Sequence, residues 1–95
     1  MSEPVYLIAQ IDVKDFDAYL DRYGMPVFGL FQAAGAEVLV ATRDTQVLEG
    51  EWFGNWTVIA RFPDRDAVAA FVDSAEYAPL RRLRVEELSS GGNVV

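Results

Sequence analysis

The sequence contains neither cysteine nor histidine. Without thiols there are no disulfides to staple a small secreted scaffold and no thiolate chemistry. Without imidazole, the commonest general base and the commonest metal ligand are both gone. Positive charge is scarce as well. Lys and Arg number 8 against 15 Asp and Glu, a net charge of −7. Such a chain repels phosphate backbones and anionic lipid surfaces, so neither nucleic acid nor membrane is an expected partner. The opening MSEPVYLIAQ has no basic region and no long apolar run. No signal peptide or membrane span is expected, and the cytoplasm is the expected compartment.

What the chain does have is apolar surface in excess of its size. Apolar residues make up 52% of the 95 positions and aromatics 13%. That length predicts one domain, residues 1–95. A domain this small buries only about 60% of its unfolded surface. The surplus predicts a dense core together with some surface covered by a partner.

Val5 to Val13 alternates Val5, Leu7, Ala9 and Ile11 with Tyr6, Ile8, Gln10 and Asp12, which predicts a strand with one oily and one mixed face. Asp15 reads as the N-cap of a helix whose stripe is Phe16, Tyr19, Leu20 and Tyr23. Gly24 and Pro26 should bend or interrupt that helix before Val27, Leu30, Phe31 and Ala34 resume the stripe, and Gly35 should end it. Ala36 to Thr42 predicts a second strand, with Val38 and Val40 on one face and Glu37 and Leu39 on the other. Arg43 to Gly54 reads as a loop of about a dozen residues, a length that leans towards function. Asn55 to Phe62 predicts a third strand, with Trp56, Val58, Ala60 and Phe62 on its oily face. Asp64 caps a second helix with Ala67, Val68 and Phe71 inward, and Ser74 caps a third bearing Tyr77, Leu80, Leu83 and Leu88. Ser89 to Asn93 reads as a glycine-containing turn, and Val94-Val95 as the start of a last strand.

The order βαββαβ is the ferredoxin-like α+β plan, a four-stranded antiparallel sheet with helices on one face. Its other face would carry Tyr6, Ile8, Gln10, Leu39, Thr57 and Ile59, too apolar for plain solvent surface and too polar for a sealed core. Packing against a second copy resolves this, and closed two-fold dimers are the commonest oligomers. A homodimer is therefore expected.

Four runs are distinctive in this order: Asp15, Asp17, Ala18 and Tyr19; Val47 to Trp52; Arg61 to Asp64; and Ser74 with Glu76 to Arg81. Together they resemble the domain-of-unknown-function 1330 family, over nearly the whole chain. The resemblance implies a dimeric α/β barrel, within the superfamily that includes cofactor-free antibiotic-biosynthesis monooxygenases. It implies no reaction. The sequence departs from the family at Phe53-Gly54-Asn55-Trp56, where a basic residue commonly opens the third strand.

The stretch Val47 to Phe62 concentrates the chemistry. Trp52 and Trp56 offer an aromatic wall with Asn55 between them as hydrogen-bond donor, a combination found in cofactor-free oxygenases of that superfamily; packing accounts for both rings better. Glu49 and Glu51 are two carboxylates, too few for a hard cation, so no metal site and no cofactor are expected. Gln10, Thr57 and Arg61 lie on mixed strand faces, where Arg61 would hold a carboxylate or pair with Glu37 or Asp12. Tyr23 would lend a phenol from the helix stripe. Arg81, Arg82 and Arg84, followed by Glu86 and Glu87, read as a salted helix surface. Gln10, Tyr23, Trp52, Asn55, Thr57 and Arg61 are thus the expected ligand-binding residues. Three functional classes remain: a small-molecule binder with its ligand between sheet and helices, a cofactor-independent monooxygenase or isomerase, and a structural interaction module.

Overall fold

The chain folds as β1 (Val5–Val13), α1 (Phe16–Tyr19), α2 (Met25–Ala33), β2 (Glu37–Thr42), β3 (Trp56–Phe62), α3 (Arg65–Val72), α4 (Tyr77–Leu83) and β4 (Ser89–Val94), in a computed structural model that describes residues 3–95. The strands form one antiparallel sheet in the order β2-β3-β1-β4, the ferredoxin-like order. The helices cover one face of it. The Cα envelope measures 36 × 32 × 16 Å, and the thin dimension corresponds to these two layers.

The core is built from the oily strand faces anticipated above. Leu7, Ala9, Ile11 and Val13 of β1 and Ala60 and Phe62 of β3 are buried under the helices. Phe62, Phe31, Phe71 and Tyr77 interlock there, with ring centroids of successive neighbours 4.5–5.5 Å apart. Aromatic contacts of this kind add to the burial of area itself. The helix ends obey local rules. Asp15 accepts from the Ala18 amide at 3.2 Å, Asp64 from the Ala67 amide at 2.8 Å, and Ser74 from the Tyr77 amide at 3.2 Å. Gly35, at φ +77°, closes a Schellman motif with Gly35 N–H on the Gln32 carbonyl and Ala36 N–H on the Phe31 carbonyl.

Three expectations are corrected. First, Gly24 and Pro26 interrupt the first long helix only by a change of winding, without ending it. A π-helical turn, Leu20–Gly24, joins α1 to α2, and the Met25 amide reaches back five residues to the Leu20 carbonyl. In a plain α-helix, residues four apart drift by about 40° per step. The wider turn offsets that drift and keeps Tyr19, Tyr23, Val27 and Phe31 all buried on the sheet.

Second, β2 carries a bulge. Val38 faces Ala60 while Val40 faces Ile59, with Leu39 as the extra residue. Val40 therefore joins Ile59 on the uncovered face, and Ala41 takes the inner position expected of Val40.

Third, Ser89 to Asn93 is strand, not turn. It pairs with β1 from Val13↔Ser89 to Ile8↔Val94. Gly91 sits in this strand at φ +102°, where a Cβ would lie 2.1 Å from the Gln10 carbonyl oxygen and 2.7 Å from the Phe53 ring. Of the glycine pair that mimics a turn in sequence, Gly91 is what lets β1 and Phe53 close on this strand.

Candidate functional site

Recesses open on both faces of the sheet, and the expected ligand-binding residues do not converge on either of them. On the face away from the helices, residues 43–55 fold back over β1, β3 and β4. Trp52 donates its indole N–H to the Thr57 hydroxyl at 2.9 Å, and Thr45 shares a hydrogen bond with the same hydroxyl at 2.9 Å. Thr57 is only 6% exposed as a result. Gln10, Trp52 and Phe53 line a shallow depression at this loop's edge. Arg61 lies further along the same face, exposed, in an ion pair with Glu37.

Asn55 serves neither recess. Its side-chain carbonyl accepts from the Val13 amide at 2.8 Å, and its side-chain amide donates to the Val13 carbonyl at 3.0 Å. Both polar ends are occupied by backbone. Gly54 beside it, at φ +90°, would place a Cβ 2.3 Å from the Ile11 carbonyl oxygen. The loop is thereby sewn to the end of β1. Glu49 and Glu51 are exposed, and among the described residues Asp and Glu nowhere gather in threes.

Of the six expected residues, Tyr23 alone faces the recess between sheet and helices. This is a cavity of about 220 Å³, floored by Leu7, Ala9, Val38 and Val58 and roofed by Tyr19, Tyr23 and Phe31. Leu20, Met25 and Phe28 are exposed at its rim. Trp56 lines it too, its ring edge-on to Phe16 at 5.0 Å. Gln10, Trp52, Thr57 and Arg61 do not reach it, because they occupy the opposite face.

At the cavity's inner wall the apolar lining gives way to Tyr23, Tyr77 and Arg84, with the Tyr19 phenol and Asn93 also in the lining. Tyr23 and Tyr77 share a hydrogen bond at 2.9 Å, both rings buried. Burial pushes the phenol pKa of Tyr23 far above its ordinary value, helped by Tyr77, and burial does the same to Tyr19. These phenols stay neutral and act as donors and acceptors, not bases. The third group is Arg84, 4% exposed. Burial works against its charge, but Tyr23 and Tyr77 beside it act the other way, and the guanidinium stays cationic. Its carbon lies 5.8 Å from the centroid of the Tyr23 ring, its Nη1 makes a long 3.4 Å bond to the Gly91 carbonyl, and its Nε has no partner.

Arg84 was expected among surface salt bridges. Instead Glu87 pairs with Arg22 at 3.0 Å, and Arg84 turns inward. The signal was in the spacing: Arg84 stands seven residues after Tyr77 and four before Leu88, on the buried stripe. It opens a second π-helical turn, Arg84–Leu88, in which the Ser89 amide bonds the Arg84 carbonyl.

Comparison with known proteins agrees with this architecture. The crystal structure of RPA0582, a protein of unknown function from Rhodopseudomonas palustris, superposes with a TM-score of 0.74 at 15% identity, covering 99% of this chain and 82% of that one. The structure of methylated RPA0582 gives the same TM-score at 14% identity, covering 99% and 81%. At such identities the likeness concerns the fold alone. No curated protein sequence matches the chain. No helix among the described residues is long and apolar enough to cross a membrane. The DUF1330 model, a domain of unknown function, matches residues 4–94, and the chain belongs to that family.

Proposed function

We propose that the protein binds a small organic ligand in the cavity between its sheet and its helices, and does so as a homodimer. The observation that carries the binding reading is the cavity itself. Protein interiors are packed to crystal-like density, and voids larger than a few waters are uncommon in a domain of this size. A hollow of about 220 Å³, walled by aliphatic and aromatic side chains and rimmed by exposed Leu20, Met25 and Phe28, is a binding site by shape. Its volume lies below the range of drug-sized pockets, so the ligand is compact.

Binding is preferred to catalysis for a positional reason. Asn55, Trp52, Tyr23 and Arg61 were the groups that would position an activated substrate. Of these only Tyr23 faces the cavity, while Asn55, Trp52 and Arg61 hold Val13, Thr57 and Glu37 instead. The homodimer rests on the uncovered sheet face, where Tyr6, Leu39 and Val40 are each more than a third exposed beside Ile8 and Ile59. Two such faces packed together would give the dimeric α/β barrel that the family resemblance implies.

The binding reading is tested by methyl-resolved NMR titration with hexanoate, hexanamide, phenylacetate and phenylacetamide. At least one of these is expected to shift Leu7, Val27, Val38 and Val58 methyls together. Ala41→Leu, which fills the cavity from the edge strand, is expected to abolish the shifts. Silence with all four probes would overturn the reading. The dimer is tested separately by sedimentation at micromolar concentration, where a single species of 10.6 kDa would refute it.

A further inference from the structure

We infer that the cavity's ligand is a monoanion, a compact apolar body ending in one carboxylate, and that Arg84 holds this head group together with the Tyr23–Tyr77 pair. The inference rests on the cavity being a binding site, and it adds the chemical class of what binds.

A buried guanidinium is normally found with a carboxylate, because an unpaired charge away from water is strongly unfavourable. Arg84 has no such partner among the described residues, whose ion pairs are Arg22–Glu87 and Arg61–Glu37. Among the described residues no Asp or Glu lines the cavity. The Nε–H is buried and makes no hydrogen bond at all. Buried donors left in this state are rare. An anion entering the cavity would supply the missing partner.

The phenols complete the arrangement by simple counting. Two hydroxyls carry two hydrogens, and the 2.9 Å bond between Tyr23 and Tyr77 uses one. Whichever phenol donates, the other keeps an O–H to give. One spare phenolic hydrogen and the Arg84 guanidinium in the lining are donors that a carboxylate's two oxygens can receive. Among the described residues Arg84 is also the only cation in the lining, which suits a single negative charge better than a phosphate dianion.

The backbone around these groups points the same way. Tyr23 and Arg84 each lie in a π-helical turn, Leu20–Gly24 and Arg84–Leu88. Such turns are uncommon and concentrate at functional sites. Two independent insertions aim two polar side chains into one apolar hollow.

The test compares each acid with its amide, hexanoate with hexanamide and phenylacetate with phenylacetamide, by calorimetry at pH 7.5. In the native protein the acid is expected to bind roughly tenfold more tightly than its amide, as a charge-assisted pair requires. Arg84→Gln is expected to bring the two within about twofold, and Arg84→Lys to restore part of the preference. Equal binding of acid and amide to the native protein would overturn the inference while leaving the cavity reading intact. A preference that survived Arg84→Gln in a folded variant would also overturn it. If none of the four probes binds, the cavity reading fails and this inference fails with it. The native-protein comparison needs no variant, so an unfolded Arg84→Gln would not blunt it.

Discussion

The side chain of Asn55 grips both backbone groups of Val13, accepting from its N–H at 2.8 Å and donating to its C=O at 3.0 Å. An asparagine used this way imitates a neighbouring strand residue. It extends the β1–β3 ladder beyond Ile11↔Trp56 and anchors the end of the long loop. Each such bond contributes about 1 kcal/mol net, so Asn55→Ala should cost about 2 kcal/mol. Asn55→Asp is the sharper test. At neutral pH it turns a carboxylate oxygen towards the Val13 carbonyl. Its Tm should fall at least as far as that of the alanine variant at pH 7 and recover as the carboxyl is protonated near pH 4. A Tm difference from native protein that ignored pH would refute the pairing.

Gly91 and Gly92 are adjacent and chemically identical, yet they should respond oppositely to a methyl group. A Cβ on Gly91 meets the Gln10 carbonyl oxygen at 2.1 Å with φ at +102°, whereas a Cβ on Gly92 meets nothing within 4 Å. Overpacking against backbone and left-handed strain together predict a loss of about 3 kcal/mol or more for Gly91→Ala. In a domain of this size that lowers Tm by more than about 10 °C. Gly92→Ala should change it by no more than a few degrees, and equal effects from the two would contradict the strand geometry.

The same glycines show where sequence reading stops. β1 was legible to the residue because every second side chain of Val5–Val13 is aliphatic, and a period of two has no other use. The caps at Asp15 and Asp64 were legible because capping is a local hydrogen bond. β4 was not, since Ser-Ser-Gly-Gly-Asn has turn composition and becomes a strand only through contact with β1 and Phe53. The bulge at Leu39 was equally hidden, and it moved Val40 to the other face. Of the binding residues, Tyr23 was visible from its stripe. Arg84 sat on a stripe just as regular, but its charge and the glutamates after it suggested solvent.

Thr57 is the hub of the loop that shelters one end of the outer sheet face. Its hydroxyl accepts the Trp52 indole N–H and also bonds Thr45, both at 2.9 Å. Thr57→Val keeps the shape and the strand propensity but leaves that indole N–H without an acceptor. A loss of about 1–2 kcal/mol is expected, together with faster amide exchange across residues 43–53 and red-shifted Trp52 emission. Exchange that quickened evenly over the whole domain would show that the hydroxyl does not fasten this loop.

The buried phenols make a prediction about alkaline stability whose sign follows from linkage. Tyr19 and Tyr23 are 3% and 6% exposed, and burial raises the pKa of each well above the ordinary phenol value of 10.0. Near pH 10 the unfolded chain gives up both protons while the folded chain keeps them. The unfolded state then binds fewer protons, so stability is intact below pH 10 and falls as pH climbs towards the raised folded values. With both phenols contributing, the slope approaches about 2.7 kcal/mol per pH unit. Tyr23→Phe removes one titrating group and should nearly halve that slope in urea melts between pH 10 and 11.5. Because none of these phenols titrates between pH 6 and 9 and Arg84 stays charged throughout, carboxylate affinity should be flat over that range. An affinity that changed across neutrality would place a different group at the head of the cavity.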